Sequence, residues 1–308
     1  MEPDQRIDVA VKSIFSKLLL TMESCESGFR ENRDVECLHN FRVALRRTRA
    51  LLHQLKGVIP EATINRFKRE FDWLRNTTGP ARDMDVYLLS FDKFASCLPD
   101  ERQHDILPLF DFIKRYRQQQ HHRVLKVLDS RRYRKIMDDW RKTISKPVPR
   151  RTRLVRAGVP VLIVADLNIW QSYKKVMKKG KRINPASPAS SLHELRKKCK
   201  NLRYLIECFQ QLYPGGKIRF LINNLKNLQN NLGEFQDLEV QQYFLNEFMG
   251  RLEQQAGTGM ETLKSIEMLI NKLKQRGQKV RKKFATKFNS FNSPKNKRLY
   301  RKLFEDRI

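Results

Sequence analysis

Glycine and proline are scarce in this chain, which has 12 of each among its 308 residues. Folds built from short strands and tight turns use both freely, so their scarcity favours long helices. Acidic residues are also few: 33 Asp and Glu stand against 63 Lys and Arg, a formal net charge of +30. A compact chain with this excess repels itself, which points to an anionic partner such as nucleic acid, an acidic membrane surface or a phosphate polymer.

Long apolar runs and paired cysteines are missing as well. The longest uninterrupted apolar run, at residues 159–165, is far shorter than the roughly 20 residues that a membrane span needs. Residues 1–4 lack the basic and apolar segments of a secretory signal. The five cysteines are odd in number and show no CxxC spacing, so neither a disulfide framework nor a zinc ribbon is expected. These absences predict a protein of the reducing cytoplasm.

One segment of the chain recurs, and this repeat predicts the domain organisation. Residues 38–49 return as residues 192–203, with equivalent positions 154 apart. The same offset still holds further along the chain, where Gly79 is matched by Gly233. Chance does not preserve spacing in this way, so we expect two copies of one unit related by a pseudo-two-fold axis. The predicted units are residues 1–150 and 151–308.

Both units read as strings of helices. Apolar residues recur at spacings of three and four, and no convincing alternating strand pattern is present. The predicted fold class is therefore all-α, with two helical bundles side by side. Gly79 and Pro80 are expected to break the chain between two helices. The predicted helices cover residues 5–30, 35–57, 61–77, 82–96, 104–129 and 131–145, then 160–180, 189–212, 217–232, 236–255, 260–288 and 294–307.

Two of these helices carry a row of cations on one face, because the basic residues are spaced three and four apart. The first basic row consists of His39, Arg42, Arg46, Arg49 and His53, and the second basic row consists of His193, Arg196, Lys200 and Arg203. A mostly apolar stripe runs beside each row. The planar fork of arginine grips two phosphate oxygens at once. Ten helical residues extend about 15 Å, which suits several consecutive phosphates better than one small anion.

Each feature also has a simpler interpretation. A basic helix face is usually a solvated face, although its repetition beside an apolar stripe favours a binding surface. Three roles are open for His39 and His193: hydrogen-bond donor to phosphate, metal ligand, or a residue at a helix start that bonds a neighbouring carboxylate. Asp83 and Asp237 are either first-turn carboxylates favoured by the helix dipole or groups that position a cation of the rows.

Together these residues resemble the CHAD family, the conserved-histidine α-helical domain. The matching segments are residues 38–49, 79–86, 192–204 and 228–237. The resemblance implies two four-helix bundles with additional helices around a pseudo-two-fold axis, enclosing a basic cleft or pore that binds inorganic polyphosphate. The expected ligand contacts are His39, Arg42, Arg46, Arg49, His193, Arg196, Lys200 and Arg203, supported by Asp83, Asp237 and Arg82.

The basic rows and the resemblance lead to one hypothesis: a long polyanion lies between the rows and is bound without being hydrolysed. No cofactor or metal is expected, and association with polyphosphate granules is compatible with this hypothesis. Nucleic acid, which the same charge attracts, is the alternative ligand and is otherwise expected only as a non-specific competitor. The other alternative is a phosphohydrolase that uses His39, His193, Asp83 and Asp237 around a divalent metal. The chain has no HExxH motif, P-loop or dense carboxylate cluster to support that chemistry.

Overall fold

The computed structural model describes residues 1–31, 34–253 and 259–307. The chain is 82% helical, and no strand is present among the residues described. The all-α prediction is confirmed. Within the same residues, no helix combines the length and the apolar character that crossing a bilayer requires.

The described residues form twelve α-helices, most of them close to the predicted bounds. The helices are α1 (Ile7–Arg30), α2 (Val35–Gln54), α3 (Glu61–Leu89), α4 (Phe91–Ala95), α5 (Leu107–Leu128), α6 (Arg131–Ser145), α7 (Val161–Gly180), α8 (Ala189–Phe209), α9 (Gly215–Glu253), α10 (Met260–Lys282), α11 (Phe284–Phe291) and α12 (Pro294–Phe304). Short 3₁₀ turns at Asp100–Ile106 and Gln210–Leu212 complete the set.

The predicted break at residues 79–80 is wrong, because α3 continues through Pro80. Proline has no N–H for the helix ladder and usually kinks a helix. Here the Arg42 guanidinium of α2 donates Nη1 to the carbonyl of Arg75 and to the hydroxyl of Thr78, both at 2.8 Å. A neighbouring helix therefore supplies polar contacts to the turn that precedes the proline.

Two other helix boundaries also differ from the prediction. α9 runs without interruption through Gly233, where a break between residues 232 and 236 was expected. The predicted helix over residues 260–288 instead divides at Lys283 into α10 and α11. The three phenylalanines of α11 are all buried, at spacings of four and three that place them on one helix face.

The two halves of the chain use corresponding helices in corresponding contacts. α1 packs on α2 as α7 packs on α8, and α3 packs on α2 and α5 as α9 packs on α8 and α10. The halves meet where α2 contacts α8, where α1 contacts α7, and where the 3₁₀ turn at Asp100–Ile106 contacts α10. The apolar stripes beside both basic rows are buried, as predicted. Their residues are Leu38, Phe41, Leu45, Thr48 and Leu52 on α2, and Leu192, Leu195, Cys199, Leu202 and Ile206 on α8.

Gly180, the last residue of α7, allows this helix to pack closely against α11. A methyl group at this position would overlap the buried ring of Phe288. Gly180→Ala is therefore expected to lower the free energy of unfolding by about 1–3 kcal/mol in urea denaturation. Gly250→Ala in α9 is the matched control, since a methyl group there meets open space. That control should raise stability by up to about 1 kcal/mol, and equal losses in both variants would contradict the packing.

Candidate basic site between the two halves

The two basic rows approach each other at Arg46. Burial lowers the pKa of both Arg196 and Lys200 on α8, and the nearby charge of Arg46 on α2 lowers it further. The Arg46 guanidinium also lies 5.8 Å from the centre of the Tyr204 ring of α8, and Arg203 lies 5.6 Å from the same ring. The structure thus brings Arg46 and Arg203, which belong to different helices, to one buried tyrosine, with Arg196 and Lys200 near Arg46. We call Arg46, Arg196, Lys200 and Arg203 the cation cluster.

The charge of the cation cluster is only partly compensated. Among the residues that the structure describes, Arg46 and Lys200 form no ion pair. Burial, followed by the charges of Arg196 and Arg46, lowers the pKa of Lys200 to about 7. The Nε atom of Arg46 is buried without a hydrogen-bond partner, whereas that of Arg203 lies 3.4 Å from the Glu207 carboxylate. Like charges held close together and partly away from water destabilise the protein. An anion bound at this place would therefore reduce the repulsion between the cations.

Other members of the first basic row contact α3. Arg49 forms an ion pair with Asp72, and Arg42 makes the two hydrogen bonds described above. Burial lowers the pKa of Arg42 to about 10, so its guanidinium is still charged at neutral pH. His53 lies further along α2, near Lys68 of α3. Of this row, Arg46 is therefore the residue with the clearest access to α8.

The two predicted histidines have different surroundings. Burial, followed by the charge of Arg82, lowers the pKa of His39, while the carboxylate of Glu36 opposes the shift. His193 has a buried Nε2 without a hydrogen-bond partner, and its ring lies 6.1 Å from that of Phe235. In the part of the chain that the structure describes, no group of three or more His, Cys, Asp or Glu side chains is placed to hold a metal ion.

The two supporting aspartates lie beside equivalent arginines. Asp237 is 3.5 Å from Arg196, which also donates to the Gln236 amide oxygen at 3.2 Å. In the first half, the carboxylate of Asp83 acts on Arg42, where it partly opposes the effect of burial on the pKa. The residue before the aspartate differs between the two halves. Arg82 is charged and lies 3.4 Å from Glu36, whereas its equivalent Gln236 is neutral. The two halves therefore hold their arginines through different partners.

The repeated glycines leave room for these arginines. A Cβ atom at Gly79 would lie 3.7 Å from the Nη atoms of Arg42, and one at Gly233 would lie 3.5 Å from Nη2 of Arg196. Alanine would just fit at either position, whereas a larger side chain would displace the guanidinium. The contact with the arginine therefore favours a small residue at both positions, 154 residues apart.

A cavity of about 540 Å³ lies beside the cation cluster; we call it the α8 cavity. Arg196, Lys200 and Arg203 line one side of it. On the α9 side lies Gln229, whose side chain is only 6% exposed and whose amide Nε2 has no hydrogen-bond partner. Sequence reasoning assigned no role to Gln229, although it lies within one of the matching segments. A single buried amide carries no recognisable pattern until its neighbours are known.

The fold and the cation cluster define an all-helical protein that concentrates positive charge between two packed helices. The CHAD domain family matches residues 13–246, and the chain belongs to this family. No curated protein matches the chain significantly.

Two solved structures are similar over nearly the whole chain. The crystal structure of the CHAD domain from the plant Ricinus communis is 23% identical, with a TM-score of 0.76, and the match covers 94% of this chain and 93% of that one. PptA from Streptomyces chartreusis is 14% identical, with a TM-score of 0.69, and the match covers 92% of this chain and 99% of that one. At these identities the similarity shows a shared fold.

Proposed function

We propose that this protein binds inorganic polyphosphate at the cation cluster and does not hydrolyse it. The observation that carries the proposal is the meeting of Arg46 with Lys200, two partly buried cations from different helices without an ion-pair partner among the described residues. Membership of the CHAD family supports the choice of ligand. Association with polyphosphate granules would follow from the same binding.

A phosphate polymer fits the cation cluster better than a nucleic acid does. Polyphosphate carries about one negative charge per phosphate and has no bases, so it needs cations but no aromatic surface for stacking. Tyr204, the tyrosine at the centre of the cluster, is only 3% exposed and lies against two guanidinium groups. Its ring is therefore closed to a nucleobase. The four cations can each bind a different phosphate of one flexible chain.

Salt and nucleic acid test the proposed selectivity together. Neutralising about four phosphates should give a slope of log K against log salt concentration near −3, by analogy with single-stranded nucleic acids. Titration calorimetry with polyphosphate of defined length, at two salt concentrations, measures this slope. Single-stranded and duplex DNA serve as competitors at equal phosphate concentration. Displacement of labelled polyphosphate by DNA at comparable concentration would refute the selectivity.

The non-catalytic part of the proposal has its own assay. We expect no release of orthophosphate from long chains in the presence of Mg²⁺ or Mn²⁺. The wild-type protein is compared with His39→Ala under the same conditions. Orthophosphate release by the wild type that disappears in this variant would show that the protein is a hydrolase.

A further inference from the structure

A second cavity, of about 210 Å³, lies between α3, α5 and α9; we call it the α3 cavity. Its lining corresponds to that of the α8 cavity through the 154-residue offset. Ser90 and Lys93 line the α8 cavity, and their equivalents Phe244 and Glu247 line the α3 cavity. Likewise, Asp237 lines the α8 cavity, and its equivalent Asp83 lines the α3 cavity. The two cavities are thus the same place in the two copies of the repeat.

Aromatic side chains fill the α3 cavity. Where the α8 cavity has Ser90, the α3 cavity has Phe244, which stacks on Tyr87 with ring centres 4.3 Å apart. Phe112 and Tyr116 of α5 stack on each other and line the same space. These rings account for the smaller volume of the α3 cavity.

The cations of the two basic rows are also used differently. Arg196, Lys200 and Arg203 line the α8 cavity, whereas none of the three equivalent arginines lines the α3 cavity as the structure describes it. Two of those three, Arg42 and Arg49, contact groups of α3 instead. The second basic row therefore offers cations to its cavity, whereas the first row does not. Arg251, the basic residue that lines the α3 cavity, lies 3.9 Å from Glu247.

The α8 cavity has the donors that a compact anion needs. Five basic residues line it against two acidic ones, and both acidic residues already have basic partners: Glu234 lies 2.7 Å from Arg276, and Asp237 lies 3.5 Å from Arg196. The amide of Gln229 lacks a hydrogen-bond partner, whereas the Nε atom of Arg203 lies 3.4 Å from the Glu207 carboxylate. The cavity volume of about 540 Å³ is typical of a small-molecule site.

We propose that the α8 cavity binds a short oligophosphate, and that the α3 cavity does not. The oligophosphate is either a free molecule or the end of a polyphosphate chain. This inference rests on the proposed function, since it assigns part of the same basic surface to one compact ligand. It predicts one oligophosphate per protein chain, although the cavity is present in both halves.

The substitution Ser90→Phe tests the assignment, because it introduces at Ser90 the ring that its equivalent Phe244 places in the α3 cavity. Leu89→Phe is the matched control, since Leu89 is adjacent in sequence but 64% exposed and outside the cavity lining. In calorimetry, the wild type should bind inorganic tripolyphosphate at one site. Ser90→Phe should weaken that binding by about thirtyfold or more, because several charge-assisted hydrogen bonds are lost, whereas Leu89→Phe should leave it unchanged.

Two long chains separate the possible sources of the oligophosphate. One has free ends and the other has both ends blocked as phosphoramidates. If the cavity takes chain ends, Ser90→Phe lowers the affinity for the free-ended chain to that for the blocked chain. If it takes free oligophosphate, only tripolyphosphate binding changes. Gln229→Leu, which removes the unpartnered amide at nearly constant volume, provides a second variant should Ser90→Phe fail to fold.

The two proposals fail in different ways. A wild type that binds long chains but not tripolyphosphate would overturn the cavity assignment and leave the proposed function intact. Unchanged tripolyphosphate binding in both Ser90→Phe and Gln229→Leu would do the same. A wild type that binds neither ligand would contradict the proposed function itself.

Discussion

Replacing Arg46 and Lys200 together by alanine is expected to weaken polyphosphate binding by about 100-fold or more. Each side chain should make at least one charge-assisted hydrogen bond to phosphate, worth about 1.5 kcal/mol or more, which is roughly tenfold in affinity. The two residues lie on different helices and repel each other in the free protein. Their alanine variant should therefore keep the fold while losing the ligand. Titration calorimetry measures the affinity, and thermal unfolding measures the stability.

The matched control removes two positive charges from another surface of the protein. Lys279 and Lys283 are both exposed at the end of α10 and lie one helical turn apart. Their double alanine variant should weaken binding by less than about threefold, since exposed charges contribute little individually. Equal losses in the two double variants would mean that polyphosphate responds to net charge alone. Arg42→Ala is not a suitable test, because this residue also supports the proline-containing turn of α3.

The affinity for polyphosphate is expected to fall steeply as the pH rises through 7. Burial and neighbouring cations lower the pKa of Lys200 to about 7, so its amine is largely neutral above this pH in the free protein. A bound phosphate favours the charged amine, and binding therefore takes up a proton. If the bound amine regains its ordinary pKa, the affinity should fall about 50-fold between pH 7 and pH 9. Calorimetry with long chains across this range measures the effect.

Lys200→Arg provides the control for the pH dependence. A guanidinium keeps its charge throughout this range, so the variant should bind with nearly constant affinity. In the free protein His39 is neutral above pH 7, because burial and the charge of Arg82 lower its pKa. A wild-type affinity that is flat between pH 7 and 9 would show that Lys200 is not part of the binding surface.

Most of the fold was predictable from local patterns. The apolar stripes of α2 and α8 are buried as expected, because side chains three and four apart share one helix face. The expected break at Pro80 failed for a reason that is not local. The Arg42 side chain, more than thirty residues earlier in the chain, contacts the turn before the proline. Pro80 thus lies within a helix whose preceding turn receives polar contacts from a neighbouring helix.

The site was predictable in outline but not in its contacts. The spacing of the cations identified both basic rows, since it depends on helix geometry alone. Which cations meet depends on how α2 crosses α8, and sequence spacing contains no information on that crossing. Arg49 lies in the same predicted row as Arg46, yet it pairs with Asp72 of α3. The buried amide of Gln229 became a candidate only when the α8 cavity was seen beside it.

A crystal structure of the protein with bound polyphosphate of defined length tests the central claim most directly. The account predicts one continuous chain of phosphates within hydrogen-bond distance of Arg46 on α2 and of Lys200 on α8. Phosphates bound only to exposed lysines elsewhere on the surface, with Arg46 and Lys200 unoccupied, would contradict it.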